Sequence, residues 1–108
     1  MTRWVRCFWD EEATWFYFEL DTEGYVIRQV ELKEPGSTVL AAASLSEWQE
    51  AQRNGQLAQY ESVYGLTAEP PISDWEGHDP QWLTANEFES VWSTARQQIQ
   101  DHQRQHLS

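Results

Sequence analysis

The sequence predicts an α+β fold, in which an antiparallel meander sheet of three or four strands packs against two or three C-terminal helices. Within residues 1–43, apolar and polar side chains alternate in short runs separated by turns that contain Gly or Pro. Within residues 44–108, apolar side chains recur at helical spacing instead. A chain of 108 residues has the length of one domain, so these regions are expected to be two parts of a single fold.

Four segments read as strands. Arg3–Trp9 has apolar side chains at both alternating positions, which predicts a strand covered on both faces. Thr14–Leu20 is dense in aromatic residues that favour sheets, and Tyr25–Lys33 alternates apolar with polar side chains. Thr38–Ala43 is short and rich in small residues, and it predicts a fourth strand.

The turn at Asp21–Gly24 sets the predicted register of the central hairpin. Gly24 tolerates positive φ, so a tight turn is expected there, with Asp21 opposite Tyr25. One face of the hairpin then collects Phe16, Phe18, Leu20, Val26, Arg28, Val30 and Leu32. The other face collects Trp15, Tyr17, Glu19, Asp21, Tyr25, Ile27, Gln29 and Glu31. We expect the last helix to cover the first face, and the second face either to bind a partner or to lie beneath the first helical region.

The helical region contains two capping-box patterns, Ser46–Gln49 and Thr84–Glu87. The predicted helices are Glu47–Asn54, Gln56–Tyr64 and Ala85–Gln103. The apolar stripe of the last helix consists of Phe88, Val91, Trp92, Ala95 and Ile99. We predict a loop from Leu66 to Gln81 and a frayed tail after about residue 100.

The charge balance indicates the class of partner. The chain has 18 acidic and 7 basic residues, for a net charge of −11. This charge disfavours binding to nucleic acid or to an anionic membrane surface and favours a basic protein, although solubility alone is the alternative explanation. The single cysteine, Cys7, permits no intrachain disulfide, and the N-terminal segment matches neither a signal peptide nor a membrane span. A cytoplasmic location is therefore expected.

A cluster of acidic and aromatic residues in the long loop offers a second hypothesis. Its candidate pocket residues are Tyr64, Asp74, Trp75, Glu76, His78, Asp79 and Trp82, which would suit a small molecule or a carbohydrate, with or without catalysis. Their spacing matches no metal motif, and the His102/His106 pair lacks the glutamate of zinc proteases. No phosphate loop or nucleophile elbow is present, so the sequence predicts no cofactor, no metal and no catalytic residue, and it favours a non-enzymatic role.

Two sequence patterns resemble those of a family of small acidic bacterial domains of unassigned function. The first, in the central hairpin, runs from Tyr17 to Glu31 as YFELDTEGYVIRQVE, and the second, far downstream, is EFESVW at Glu87–Trp92. The resemblance covers about half of the positions near the two ends, and Glu47–Gly77 departs from it. It implies a small cytoplasmic domain without enzymatic activity.

Together these features predict a cytoplasmic protein-binding module of the acidic immunity or antitoxin type, acting on a basic protein. The expected partner-binding residues are Trp15, Tyr17, Glu19, Asp21, Tyr25 and Glu31. The alternatives are the ligand pocket described above and a homodimer that buries the second sheet face against itself.

Overall fold

A computed structural model describes residues 2–67 and 80–107, with side chains described as far as residue 103. The elements in chain order are β1 (Arg3–Trp9), a short 3-10 turn (Asp10–Glu12), β2 (Thr14–Leu20), β3 (Val26–Lys33), β4 (Thr38–Ser44), α1 (Leu45–Arg53), α2 (Leu57–Tyr64), β5 (Gln81–Leu83) and α3 (Ala85–Leu107). The predicted α+β fold, with a sheet followed by helices, is confirmed.

The sheet contains five antiparallel strands in the order β4-β3-β2-β1-β5. The predicted meander accounts for the first four strands. The prediction missed β5, which pairs with β1, because three residues are too few to show a period.

The turn after β2 forms as predicted, but the register beyond it does not. The Asp21 N–H donates to the Tyr25 carbonyl at 3.0 Å, and Gly24 has a φ of 90°. The ladder then shifts, because Leu20 pairs with Val26 whereas Glu19 pairs with Arg28. Ile27 is the extra residue of this β-bulge. From Arg28 onward, each side chain of β3 therefore lies on the sheet face opposite to the one predicted, relative to β2.

As a result, α3 packs on the opposite sheet face from the one predicted. Val30 now lies opposite Tyr17, and Leu32 opposite Trp15. The buried cluster beneath α3 consists of Tyr17, Val30, Ala42, Phe88 and Ala95. Phe16, expected under α3, instead packs against a second cluster formed by Val5, Cys7, Phe18, Leu20 and Val26.

Helix α3 begins with the predicted capping box. The Thr84 N–H donates to Glu87 Oε1 at 2.9 Å, and the Glu87 N–H donates to Thr84 Oγ1 at 3.1 Å. The helix continues to Leu107, past its predicted end at Gln103, since Gln and Arg are good helix formers. None of the described helices is long and apolar enough to cross a membrane.

Helix α1 begins earlier than predicted. Its first residue is Leu45 and its N-cap residue is Ser44, whose side chain makes no capping hydrogen bond. Because Ser46 and Gln49 already lie inside the helix, the capping box predicted for them does not form.

Helix α2 ends where the chain comes close to β4. Gly65 has a φ of 88°, and a Cβ atom added to it would lie 2.7 Å from the Cβ atom of Ala41. Only glycine allows this approach without displacing the strand. The close approach holds α2 beside β4, at one edge of the sheet.

Candidate functional site

The central polar contact beneath α3 joins Arg28 to Glu19. Arg28 donates through Nε at 2.7 Å and through Nη2 at 2.8 Å to the two carboxylate oxygens, and Trp4 Nε1 donates to the same group at 2.8 Å. Arg28 also forms an ion pair with Glu89 on α3. Both oxygens of Glu19 are therefore satisfied within the protein.

The environment of Glu19 favours its charged form. Burial would raise the pKa of Glu19, but the hydrogen bonds from Arg28 and Trp4 and the charge of Arg28 hold that pKa below its usual value. The hydrogen bond to Glu19 also raises the pKa of Arg28. The guanidinium of Arg28 lies 5.0 Å from the ring centroid of Trp92, which adds a cation–π contact. This arrangement links the sheet to α3 and uses the buried charge of Glu19 within the protein.

The six predicted partner-binding residues do not share one surface. Trp15, Tyr17 and Glu19 belong to the face covered by α3, and Tyr17 is only 7% exposed. Helix α3 packs over these residues, and the first helical region contacts the sheet at β3 and β4.

The other three predicted residues are spread over the hairpin. Asp21 Oδ1 accepts hydrogen bonds from the N–H groups of Glu23 and Tyr25, so its carboxylate stabilises the turn. Tyr25 is 40% exposed at that turn, and Glu31 lies on the face opposite α3 beside Phe16. The homodimer alternative used the same face, of which α3 covers Trp15 and Tyr17.

A second network, centred on Arg96 of α3, joins the three described helices to β4 at the edge of the sheet. Arg96 Nε donates to the Ala42 carbonyl at 2.8 Å, and Arg96 also forms an ion pair with Glu47 of α1. The Tyr60 hydroxyl of α2 donates to Glu47 at 2.8 Å. Burial and the nearby Glu47 carboxylate raise the pKa of Tyr60 to about 12. This network connects α1, α2, α3 and β4 through one guanidinium.

Aromatic rings enclose the same guanidinium. Arg96 lies 4.4 Å from the ring centroid of Trp92 and 4.1 Å from that of Tyr64. Tyr64, a predicted pocket residue, is therefore part of a structural stack.

Of the seven residues predicted to line the ligand pocket, the structure describes Tyr64 and Trp82, and these two do not lie together. Asp74, Trp75, Glu76, His78 and Asp79 lie outside the described residues. Tyr64 is on α2 beside β4, and Trp82 is on β5 at the opposite edge of the sheet, on the order of 19 Å away at the usual strand spacing.

The face opposite α3 ends in a group of carboxylates around a tryptophan. We call this group the acidic corner, and it consists of Trp9, Asp10, Glu11, Glu12 and Glu31. Trp9 is 36% exposed, and its ring centroid lies 6.3 Å from that of Phe16 in an edge-to-face contact. Asp10, Glu11 and Glu12 form the exposed 3-10 turn between β1 and β2, which ends with Ala13 in the left-handed region at a φ of 50°.

Glu31 differs from Glu19 in forming no ion pair with any cation of the described residues. Burial raises the pKa of Glu31 and the charge of Glu12 adds to that shift, while a hydrogen bond from Gln29 Nε2 at 3.1 Å only partly opposes it. The sequence prediction included Glu31 but missed the Trp-Asp-Glu-Glu run at the end of β1. A tryptophan followed by three acids at a strand end was the signal that would have identified it.

A groove of about 650 Å³ lies between the β4 edge, α2 and the C-terminal half of α3. Among the described residues, its lining consists of Thr38, Val39, Leu40, Ser62, Val63, Gln98, Ile99, His102 and Gln103. None of them is acidic, and Leu40 is 50% exposed. The sequence prediction missed this groove because its walls come from three separate segments.

The described parts of the chain contain no group of three His, Cys, Asp or Glu side chains that could hold a metal ion. Cys7 is buried, and burial raises the pKa of its thiol, as expected for an unreactive core cysteine.

No protein-family model matches the chain, and neither does any curated protein or solved structure. The resemblance to small acidic bacterial domains therefore stays a prediction.

Proposed function

We propose that this protein is a non-enzymatic binding module that holds a basic protein partner through the acidic corner. The observation that supports this most directly is the way its arginines are used. Arg28 and Arg96 are engaged in ion pairs and are only 19% and 17% exposed. Arg3 and Arg6 lie over the rings of Trp82 and Trp15 at 5.3 Å and 4.6 Å.

Arg28 and Arg96 are held in internal contacts, and among the described residues the exposed carboxylates outnumber the exposed cations Arg3, Lys33 and Arg53. The exposed acids include Asp10, Glu11, Glu12, Glu23, Glu50 and Glu89. A surface of this kind accelerates encounter with a cationic protein and repels anionic ones.

The acidic corner adds an apolar anchor to this charge. Trp9 is 36% exposed and directly precedes the three acids of the turn, and tryptophan is enriched in interface hot spots. A cation placed against Glu31 would restore the balance that Glu19 already has through Arg28. A cytoplasmic antitoxin or immunity protein is the class of molecule that we propose on these grounds.

The first test is affinity capture from cells that express the protein, followed by measurement of the dissociation constant for the captured partner. We expect a basic partner whose affinity falls steeply as salt rises from about 50 to about 500 mM. Failure to capture any partner, or an affinity that does not respond to salt, would contradict the proposal.

A matched pair of double variants locates the contact. Glu11→Lys with Glu12→Lys reverses two charges at the corner, and Glu23→Lys with Glu50→Lys makes the same change elsewhere on the exposed surface. We expect about a tenfold or larger loss of affinity for the first and less than about threefold for the second. Equal losses would mean that overall charge, and not the corner, determines binding.

A further inference from the structure

The outer edge of β4 has a closed half and an open half. At the closed half, Arg96 donates to the Ala42 carbonyl and the Ser44 N–H donates to the Tyr60 hydroxyl at 2.9 Å. These side chains occupy backbone groups that would otherwise be available to another strand. In the described parts of the chain, no group of α2 or α3 makes a hydrogen bond to Thr38–Leu40.

The open half borders the 650 Å³ groove. Val39 and Leu40 form one wall, and Val63 of α2 and Ile99 of α3 face it. A smaller depression of about 170 Å³ shares Val39 and Gln98 with the groove and extends it along α3. The groove therefore has apolar side chains on each of its walls, and on one side it borders a strand that has no outer neighbour among the described strands.

The chemistry of the lining suits a peptide backbone. In a chain with 18 acidic residues, the described lining of the groove has hydroxyl, amide and imidazole groups but no carboxylate. Gln98, Gln103 and Ser62 can donate to and accept from peptide groups without placing a charge in the groove. An extended strand also points every second side chain to the same side, where the apolar wall lies.

We propose that this groove binds an extended peptide segment of a partner protein, which adds to the sheet as a strand beside Thr38–Leu40. Apolar side chains at alternate positions of the segment occupy the groove, and the net charge of −11 favours basic residues at the flanks. A second copy of the chain is a poorer occupant, because two molecules with a net charge of −11 each repel one another. This site is separate from the acidic corner and does not depend on the function proposed above.

The test uses a displayed library of random nine-residue peptides, selected on the wild-type protein. Peptides that enrich are synthesised, and their affinities are measured by fluorescence anisotropy for the wild type, Leu40→Lys and Leu66→Lys. Leu40 and Leu66 are both 50% exposed, and Leu66 does not line the groove, so the second variant is a matched control. We expect about a tenfold loss for Leu40→Lys and less than about twofold for Leu66→Lys.

Two further measurements test the mode of binding without changing the protein. Hydrogen exchange at Thr38–Leu40 should slow when peptide is bound, and methylation of alternate peptide nitrogens should abolish binding, because strand addition uses those amides. The proposal is overturned if no peptide enriches over a bare support, if both leucine variants bind equally, or if exchange at Thr38–Leu40 does not change. It is also overturned if sedimentation shows a wild-type dimer that Leu40→Lys disrupts, since a second copy would then be the occupant.

Discussion

Glu19 and Glu31 are two carboxylates of one sheet, on neighbouring strands and opposite faces, and they have opposite environments. Glu19 lies beneath α3 and receives hydrogen bonds from Arg28 and Trp4, which hold its pKa low despite burial. Glu31 lies on the other face and receives a bond from Gln29, while burial and Glu12 raise its pKa.

The difference separates a structural carboxylate from one that is available to a cation. On the α3 face the protein supplies its own guanidinium, so the charge stabilises the fold. On the other face no cationic group of the described residues forms an ion pair with Glu31. The same residue type thus stabilises one face of the sheet and creates a binding opportunity on the other.

The largest expected effect is that of Glu19→Gln. This change leaves the guanidinium of Arg28 without its main partner in a largely buried site, and we expect it to lower the free energy of unfolding by about 2 kcal/mol at neutral pH. Since the folded pKa of Glu19 is depressed, its contribution is present above the ordinary carboxyl pKa and is lost as pH falls through the folded value. Urea denaturation over a series of pH values measures the loss at neutral pH and the pH dependence of the free energy of unfolding.

Glu89→Gln is the control for that variant, because Glu89 contacts the same guanidinium from an exposed position. We expect it to cost less than about 1 kcal/mol. Equal destabilisation by both variants would show that burial of Glu19 is not what makes its pairing important.

The next effect is that of Arg96→Met, which keeps the apolar stem and removes the guanidinium. The Ala42 carbonyl and the Glu47 carboxylate lose their donor, and the cation–π contacts with Trp92 and Tyr64 disappear. We expect a loss of about 1.5 kcal/mol in the free energy of unfolding, measured by urea denaturation. Arg53→Met, at an exposed position on α1, should change that free energy by less than about 0.5 kcal/mol.

The smallest effect has the opposite sign. Glu31→Gln removes a carboxylate whose ionisation is opposed in the folded state, and we expect it to raise the free energy of unfolding by about 0.5 kcal/mol at neutral pH. Because the folded pKa of Glu31 is raised, the wild type loses stability as pH rises from the ordinary carboxyl pKa through the folded value. The advantage of the variant should therefore vanish in acid. A destabilised variant at neutral pH would mean that Glu31 has a cationic partner and that the comparison with Glu19 is wrong.

The sequence was sufficient where local patterns decide the structure. The bounds of β1 and β2 and the capping box at Thr84 and Glu87 were predicted correctly, since alternation and capping depend on neighbouring residues. The bulge at Ile27 was not predictable, because nothing in the alternation of β3 shows which residue leaves the ladder. Because of that single omission, Tyr17 and Glu19 were expected on the face away from α3.

The candidate site shows the same division. Glu31 was selected for its acidity, but its proximity to Glu12 depends on the pairing of β2 with β3 and on the return of the chain after β1. The peptide groove depends on three segments that meet only in the folded protein, so no local pattern indicates it.

The bulge at Ile27 also has a consequence for how this chain can vary in length. A chain lacking that residue would pair Leu20 with Val26 and Glu19 with Arg28 in a regular ladder, so Val30 and Leu32 would still meet α3. Deletion of a residue at this place should therefore be tolerated. Deletion of a residue inside the regular part of β3 would move the side chains on one side of the deletion to the opposite face of the sheet.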